Sequence, residues 1–258
     1  MGSTGRVGAG RGGAATDGSG RPDRRAGPPS WYTRGMIHHP DAPGPTKLLV
    51  SDFDGTMTRD DFYKLAAESL LPPGLPDYWG EYRDGRMTHF QALRAYFAAI
   101  RADEATVRRT VERMGLDPNL KEAVSRLRGD GWDVVVTSAG CEWYIRILLA
   151  EAGVDLTVWS NPGRFVAGEG LLMEPPTGSP FESPETGVDK AAVVRAALDR
   201  GLAVAFAGDG FPDAEAARLV PDGLRFARGD LAAVLRNEGR PFRPFDRWSQ
   251  IAEMLAAR

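Results

Sequence analysis

The chain has 258 residues, of which 42% are hydrophobic, and a formal net charge of −3 at pH 7. These values are typical of a globular protein with one large domain, or with one domain and a smaller appended one. The charge gives no electrostatic support for binding to nucleic acids or to anionic membranes. A single cysteine, Cys141, excludes an internal disulfide framework and a multi-cysteine zinc site.

Residues 1–45 are rich in Gly, Arg, Ala and Pro and show no hydrophobic periodicity. Such a composition buries too little apolar surface to offset the entropy of ordering, so we predict a disordered tail. The N-terminus lacks the apolar segment of a secretory signal peptide, and no apolar run reaches the length of about 18 residues that a membrane-spanning helix needs. We therefore expect a cytoplasmic protein that binds neither membranes nor nucleic acids.

The first strong pattern is a short apolar run, Leu48–Val50, followed by Asp52, Asp54, Gly55 and Thr56. Such a run is typical of a buried strand that delivers polar side chains to its C-terminal end, where ligands bind in open α/β sheets. Because side chains alternate along a strand, we expect the two carboxylates to point to one site, with the glycine allowing a sharp turn. Two adjacent carboxylates resist ionising together unless a cation lies between them, so the motif predicts a divalent metal ion.

Residues 59–118 have helical patterning, and we predict an all-helical cap over the acidic strand end. The clearest helix covers residues 88–100, and an earlier one covers 60–70 with Asp60 as its N-cap. Four residues of this cap are candidates either for substrate contact or for ordinary surface positions: Arg86, His89, Arg94 and Tyr96.

Strands and helices alternate after residue 118, which predicts a Rossmann-like parallel sheet with helices on both faces. We assign residues 46–58 and 119–258 to this α/β core. The predicted strands are 47–53, 132–137, 154–159, 202–207 and 224–227. The predicted helices are 119–128, one that begins at 141, 188–200, one after 213 and two at the C-terminus, and a hairpin is expected at 164–172.

Further polar residues follow the other predicted strands. Ser138 follows the second strand, Asp209 and Asp213 follow a later one, and Lys190 begins a helix. Since parallel strand ends share one edge of a sheet, these side chains should lie with the first aspartate pair. Carboxylates without nearby cysteine or histidine favour a hard cation, and Mg²⁺ is expected. The hydroxyl, the ammonium and helix-start N–H groups could hold phosphate oxygens.

Several of these positions have a second interpretation. Thr137 competes with Ser138 for the site, Lys190 could be a solvated helix residue, Asp213 could only cap its helix, and Thr56 could be a turn hydroxyl. If the cluster does bind phosphate, Asp52 could attack phosphorus once metal and lysine neutralise the repulsion between the anions.

Four elements in this order resemble the motifs of the haloacid dehalogenase superfamily of phosphatases: Asp52–Thr56, the run ending in Ser138, Lys190, and Gly208–Asp213. The resemblance implies that Asp52 is the nucleophile, that Asp54 is the general acid and base, and that an aspartyl-phosphate forms. Mg²⁺ would be bound by the carboxylates of Asp52 and Asp209 and by the backbone carbonyl of Asp54. Ser138, Ala139 and Lys190 would bind the phosphoryl group, while Asp213, Gly55 and Thr56 would support the site.

The helical insertion resembles the C1-type cap of the phosphoserine-phosphatase-like branch. Residues 225–228, 231–238 and 244–246 are similar to the C-terminal segment of the methionine-salvage 2-hydroxy-3-keto-5-methylthiopentenyl-1-phosphate phosphatase family. Residues 160–187 depart from that family, because they contain no cysteine. The resemblance implies a phosphomonoesterase of a small phosphorylated metabolite, as a monomer or homodimer. The alternatives are a phosphotransferase or mutase with the same intermediate, or a catalytically silent phosphometabolite-binding protein, against which the intact Asp54 argues.

Overall fold

The computed structural model describes residues 46–256 of the chain, and the predicted tail lies outside them. Six strands form one parallel sheet in the order β10-β9-β8-β1-β2-β3. In chain order the strands are β1 (Lys47–Ser51), β2 (Trp132–Cys141), β3 (Thr157–Asn161), β4 (Gly163–Val166), β5 (Gly170–Met173), β6 (Glu182–Ser183), β7 (Gly187–Val188), β8 (Ala203–Gly208), β9 (Arg225–Ala227) and β10 (Arg243–Pro244).

Helices connect and cover these strands. They are α1 (Phe62–Ser69), α2 (Tyr78–Arg83), α3 (His89–Ala98), α4 (Glu104–Glu112), α5 (Leu120–Gly129), α6 (Glu142–Glu151), α7 (Lys190–Asp199), α8 (Ala214–Leu219), α9 (Gly229–Asn237) and α10 (Ser249–Ala256), with short 3₁₀ turns at Phe211–Asp213 and Asp222–Leu224. The α/β architecture predicted from the sequence is confirmed.

Strand β1 lies in the middle of the sheet, between β2 and β8. Leu49 and Val50 are fully buried, because helices cover both faces of a parallel sheet and leave no solvent-facing side. Val50 pairs with Val135 of β2 and with Phe206 of β8. The registers therefore bring the carboxyl ends of three apolar strands together at one edge.

The strand bounds differ from the predicted ones where polar residues continue a strand. Strand β2 runs through Ser138 to Cys141, with a register irregularity after Thr137, whereas the apolar run alone predicts an end at residue 137. Strand β3 begins at Thr157 instead of residue 154. The predicted hairpin at 164–172 is confirmed as β4 paired with β5, and the short β6–β7 hairpin has no clear signal in the sequence.

Helices α1 to α4 give residues 59–118 the predicted helical character, and the division into cap and core stays a prediction. Asp60 is not the N-cap of α1: Asp61 holds that position, and Asp60 accepts a hydrogen bond from Arg59. The start of α3 is instead well capped, because the Thr88 side chain and the Gln91 side chain each bind the other's backbone N–H.

The first turn of α3 is also bound by the β6–β7 hairpin. Phe90 N donates to the Glu185 carbonyl at 2.9 Å, and His89 N donates to the Glu185 side chain at 3.4 Å. Helical and sheet residues share one apolar cluster, in which Phe62 and Phe97 contact the ring of Tyr144 from α6. In the described part of the chain, no helix is long and apolar enough to cross a membrane.

Candidate active site

A cavity of about 410 Å³ lies at the carboxyl edge of the sheet, beneath helices α1 to α3. It brings together most of the residues that the sequence predicts for the site. Those that line it are Asp52, Asp54, Ser138, Ala139, Lys190, Asp209 and Asp213. Gly55 and Thr56 lie next to this group and act on it through the contacts described below.

Lys190 is the centre of the charged cluster. It is 6% exposed, and its Nζ donates to Asp52 Oδ1 and to Asp213 Oδ1, each at 2.6 Å. Burial by itself lowers the pKa of this ammonium, but the Asp213 and Asp52 carboxylates outweigh it and hold the pKa above its ordinary value. Lys190 is therefore a charged, buried group of the site and not a solvated helix residue.

Asp213 fixes the position of this lysine. While its Oδ1 accepts from Lys190, its Oδ2 accepts from the backbone N–H groups of Asp209 at 3.0 Å and Gly210 at 2.9 Å. A Cβ at Gly208 would lie 2.6 Å from the Asp213 carboxyl, so the strand end has room for glycine only. Of the interpretations open from the sequence, the geometry gives Asp213 the task of orienting Lys190 and the loop at 209–210.

Asp54 lies in a separate environment. Its Oδ1 accepts from Phe62 N at 3.0 Å, and its Oδ2 accepts from the hydroxyls of Tyr144 at 2.9 Å and Ser138 at 3.4 Å. Burial, followed by repulsion from Asp61 and Asp52, raises the pKa of Asp54 to about 7. Both motif aspartates line the one cavity, as expected, but the strand ends at Ser51, so the alternation of side chains along a strand is not what brings them together.

Three carboxylates instead form the cluster that could hold a metal ion. Asp52, Asp209 and Asp213 each offer an oxygen within 4.8 Å of the others. Burial, with repulsion from neighbouring carboxylates, raises the pKa of Asp52 to about 6 and that of Asp209 to about 9. A hard divalent cation would relieve this repulsion, so the oxygen donor set fits Mg²⁺. Both oxygens of Asp213 are already bound, Oδ1 to Lys190 and Oδ2 to two backbone N–H groups, whereas Asp52 binds Lys190 through Oδ1 alone. Asp52 and Asp209 are therefore the better ligands.

The loop after β1 supports these carboxylates. Thr56 Oγ1 lies 3.0 Å from Asp209 Oδ1 and 3.3 Å from Asp52 Oδ2. Gly55 has a φ of +67°, and a Cβ there would lie 2.3 Å from Asp209 Oδ2. Glycine is needed at this turn both for its backbone conformation and for the close approach of the carboxylate. Thr56 is thus more than a turn hydroxyl.

On the other side, Ser138 rather than Thr137 faces the cavity. Ser138 Oγ accepts from Gly140 N at 3.0 Å, while the Thr137 hydroxyl is buried without a hydrogen-bond partner. The following turn is held from behind, since Asn161 Nδ2 donates to the Ala139 carbonyl at 2.7 Å. The strand therefore presents one hydroxyl and the Ala139 segment to the cavity.

Two supporting residues were not predicted. Tyr144 occupies a buried position of α6, which patterning assigns to the core, yet its hydroxyl contacts Asp54. Arg228 donates from Nε to the Gly55 carbonyl at 2.5 Å, from Nη2 to Thr58 O at 2.5 Å and from Nη1 to Asp246 O at 2.6 Å. The only signal for Arg228 in the sequence was the similarity of residues 225–228 to the C-terminal segment of a known phosphatase family.

The helical side of the cavity is mostly aromatic and apolar. Of the four cap candidates, only His89 lines the cavity. Arg86 and Arg94 are exposed, and Arg86 pairs with two nearby carboxylates. Tyr96 packs on the ring of Tyr78. The aromatic and aliphatic residues on this side are Tyr63, Trp79, Tyr82, Leu93 and Phe97.

The fold is thus an α/β fold whose parallel sheet has a buried lysine between two carboxylates at its carboxyl edge, which is where proteins of this class bind their ligands. The chain belongs to the haloacid dehalogenase-like hydrolase family, whose model matches residues 49–218. The resemblance stated from the motifs is confirmed.

Curated relatives include two proteins named 2-hydroxy-3-keto-5-methylthiopentenyl-1-phosphate phosphatase. The one from Exiguobacterium sibiricum is 22% identical over 81% of this chain and 96% of its own length. The one from Microcystis aeruginosa is 24% identical over 83% and 99%, respectively.

Among solved structures, similar folds occur in phosphoserine phosphatases. A substrate-bound complex has a TM-score of 0.56 at 17% identity, covering 83% of this chain and 99% of that chain. The protein from T. onnurineus has a TM-score of 0.54 at 21% identity, covering 84% and 98%. At these identities the structures support the fold alone.

Proposed function

We propose that the protein is a Mg²⁺-dependent phosphomonoesterase that forms an aspartyl-phosphate on Asp52. The observation that carries this proposal is the buried triad in which Lys190 binds both Asp52 and Asp213. A buried lysine 2.6 Å from a carboxylate can neutralise the charge that would otherwise repel a phosphate dianion. The names of the curated relatives support a phosphate ester of a small metabolite, such as the methionine-salvage intermediate, as substrate.

In this mechanism the Asp52 carboxylate attacks phosphorus, and the bond from phosphorus to the alcohol oxygen breaks. Lys190, Ser138 and the backbone near Ala139 bind the phosphoryl oxygens, and Asp213 keeps the ammonium in place. Mg²⁺, when held by Asp52, Asp209 and the carbonyl of Asp54, would neutralise charge on the transferring group.

Asp54 performs the proton transfers. With a pKa near 7 its carboxyl can be protonated at neutral pH, and it then gives its proton to the leaving alcohol. The resulting carboxylate takes a proton from the water that attacks the aspartyl-phosphate, which releases phosphate and restores Asp52. Hydrogen bonds from Phe62 N and the Tyr144 hydroxyl hold the Asp54 side chain outside the cluster of Asp52, Asp209 and Asp213. Its carboxyl is therefore available for proton transfer.

The test is release of inorganic phosphate from p-nitrophenyl phosphate, with Mg²⁺ and with EDTA. We expect turnover in the wild-type protein with Mg²⁺ and a loss of at least about a thousandfold in Asp52→Asn, because the nucleophile is removed. Asp133→Asn is the matched control, because it removes the same charge from a residue of β2 that does not line the cavity. Equal turnover in both variants would exclude Asp52 as nucleophile.

A further inference from the structure

The end of β2 that borders the cavity departs from regular strand pairing. Thr137 pairs with Trp159 of β3 and Cys141 pairs with Asn161, so the four steps from residue 137 to 141 match only the two steps from 159 to 161. Such a bulge disrupts the ladder and leaves backbone groups of the longer strand in need of other partners. The bulged residues, 138–140, are those that line the cavity.

Two side chains at the end of β3 bind the carbonyl groups of this bulge. Asn161 Nδ2 donates to the Ala139 carbonyl at 2.7 Å. Ser160 Oγ donates to the Gly140 carbonyl at 2.9 Å. Asn161 is fully buried and Ser160 nearly so, which means that these hydrogen bonds are shielded from competing water.

The Asn161 contact also sets the direction of the next N–H group. In a trans peptide the C=O and the N–H point in opposite directions, so the Ala139 carbonyl that faces Asn161 turns Gly140 N away from β3. Gly140 N donates to Ser138 Oγ, the hydroxyl that faces the cavity, at 3.0 Å. The amide behind the bulge therefore helps to orient the hydroxyl in front of it.

Asn161 also binds the segment that leads to Lys190. Its Nδ2 donates a second hydrogen bond, at 3.1 Å, to the carbonyl of Thr186, which lies between β6 and β7. The two N–H bonds of one amide nitrogen are thus divided between two backbone carbonyls. Thr186 is four positions before Lys190, and its hydroxyl donates to the Val188 carbonyl at 2.8 Å. One side chain therefore joins the bulge to the hairpin that precedes the lysine.

Gly187 makes room for this amide. Its φ is +80°, and a Cβ there would lie 1.7 Å from Asn161 Oδ1. Among the described residues Oδ1 has no hydrogen-bond partner, so the amide is held by its Nδ2 bonds and by the close fit of the hairpin. Any larger residue at position 187 would push the amide out of place.

We propose that Asn161 is a positioning residue that holds the bulge at 138–140 and the Lys190 segment at a fixed separation, with Ser160 supporting the bulge. This inference rests on the proposed function, in which these two elements bind the phosphoryl group. Asn161 does not itself line the cavity, so it acts through the backbone alone. A phosphate bound by both elements at once needs them in register, and loss of the amide should weaken its binding.

The test is equilibrium binding of inorganic phosphate with Mg²⁺, measured by phosphorus NMR titration, which does not depend on turnover. We expect Asn161→Leu, which has a similar volume and no N–H group, to weaken phosphate binding by about tenfold in the folded protein, and Ser160→Ala by about threefold. Thr110→Val is the control for loss of a buried contact to a carbonyl. Thr110 Oγ1 donates to the Thr106 carbonyl at 3.2 Å, outside the cavity lining, so its loss should leave phosphate affinity unchanged.

Two glycine substitutions test the same contact without removing the amide. Gly187→Ala places a methyl group against Asn161 Oδ1, so phosphate binding should weaken by about tenfold. Gly178→Ala is the matched control, because Gly178 has the same φ of +80°, and a Cβ there would meet no described atom within 4 Å beyond its chain neighbours. The backbone strain is then alike in both variants, and only Gly187→Ala should lose phosphate affinity.

Equal phosphate affinity in Gly187→Ala and Gly178→Ala, or wild-type affinity in folded Asn161→Leu, would overturn the positioning role. If circular dichroism shows that Asn161→Leu does not fold, the glycine pair decides the question. A wild-type protein that shows these binding differences but releases no phosphate from p-nitrophenyl phosphate would overturn the proposed function alone. A wild-type protein that binds no inorganic phosphate would overturn both.

Discussion

The two sides of the cavity are built on different principles. On the sheet side, charged groups are buried and bound to one another, as in the contacts of Lys190 with Asp52 and Asp213. On the helical side, rings pack on rings, and His89 Nδ1 is left without a partner. The first side is held by ion pairs without any ligand, whereas the second is an aromatic and apolar surface.

Under the proposed function, we expect the sheet side to carry the chemistry and the helical side to select the substrate. Buried charges keep a fixed geometry only while every partner is present, so each of them should be sensitive to substitution. Aromatic contacts are less directional, and losing one should change which substrate binds more than how fast it reacts. The following predictions test this division.

The largest effect is expected from Lys190→Met. The change leaves the carboxylates of Asp52 and Asp213 buried together without a cation, which should cost about 3–5 kcal/mol of unfolding free energy. Phosphate release should fall by about a thousandfold, because the phosphoryl group loses its main cationic partner. Urea denaturation and phosphate assays measure both, and Lys121→Met, at an exposed lysine of α5, should match the wild type.

The next largest effect is expected from Tyr144→Phe. Its ring still packs on Phe62 and Phe97, but Asp54 Oδ2 loses its hydrogen bond of 2.9 Å. We expect kcat to fall by about tenfold with KM nearly constant, since the group that transfers the proton is held less firmly. Tyr96→Phe is the control for loss of a tyrosine hydroxyl, and an equal fall in both variants would contradict a direct role for Tyr144.

A smaller effect on turnover is expected from Arg228→Lys. Lysine cannot bind the carbonyls of Gly55, Thr58 and Asp246 at once, so the loop after Asp52 should loosen and kcat should fall by about threefold to tenfold.

Arg225→Lys provides the matched control for this change. Arg225 is also buried and binds the carbonyls of Ala217, Val220 and Pro241, away from the cavity lining. Both variants should lose about 1–3 kcal/mol of unfolding free energy, but only Arg228→Lys should slow the reaction. Equal kcat values for the two variants would show that Arg228 serves stability alone.

The smallest effect concerns His89. Its pKa of about 4 in the folded protein lies below the ordinary value of 6.5, so the unfolded chain binds more protons between these pH values. Stability should therefore fall as pH decreases from about 6.5 towards 4, and His89→Asn should reduce that slope. NMR titration, with His89→Asn to assign the resonance, measures the pKa; a value near 6.5 would contradict a buried neutral ring.

The sheet side of the site follows from the sequence for a physical reason. Apolar runs predict strands, parallel topology places their carboxyl ends at one edge, and the residues after each run, such as Asp52, Ser138 and Asp209, must then meet. Lys190 lies at a helix start, and only the resemblance to a family distinguished it from a surface lysine. Its contacts in the structure agree with that choice.

Other features depend on packing that no local pattern carries. Tyr144 contacts Asp54 only because Gly140 lacks a Cβ, which would lie 1.9 Å from the tyrosine hydroxyl. The aromatic lining on the helical side of the cavity comes from three helices, so spacing within one helix cannot predict it. The N-cap of α1 was wrong by one residue, since Asp60 and Asp61 are both acceptable caps and tertiary contacts decide between them.

The bond between Glu185 and the start of α3 has a consequence for motion. Glu185 lies five positions before Lys190 in the printed sequence, and its carbonyl accepts from Phe90 N. A displacement of α3 would either break this bond or pull on the segment that leads to Lys190. Under the proposed function, movement of α3 and assembly of the phosphate site would be mechanically linked, so the rate of product release should depend on the strength of a contact outside the cavity.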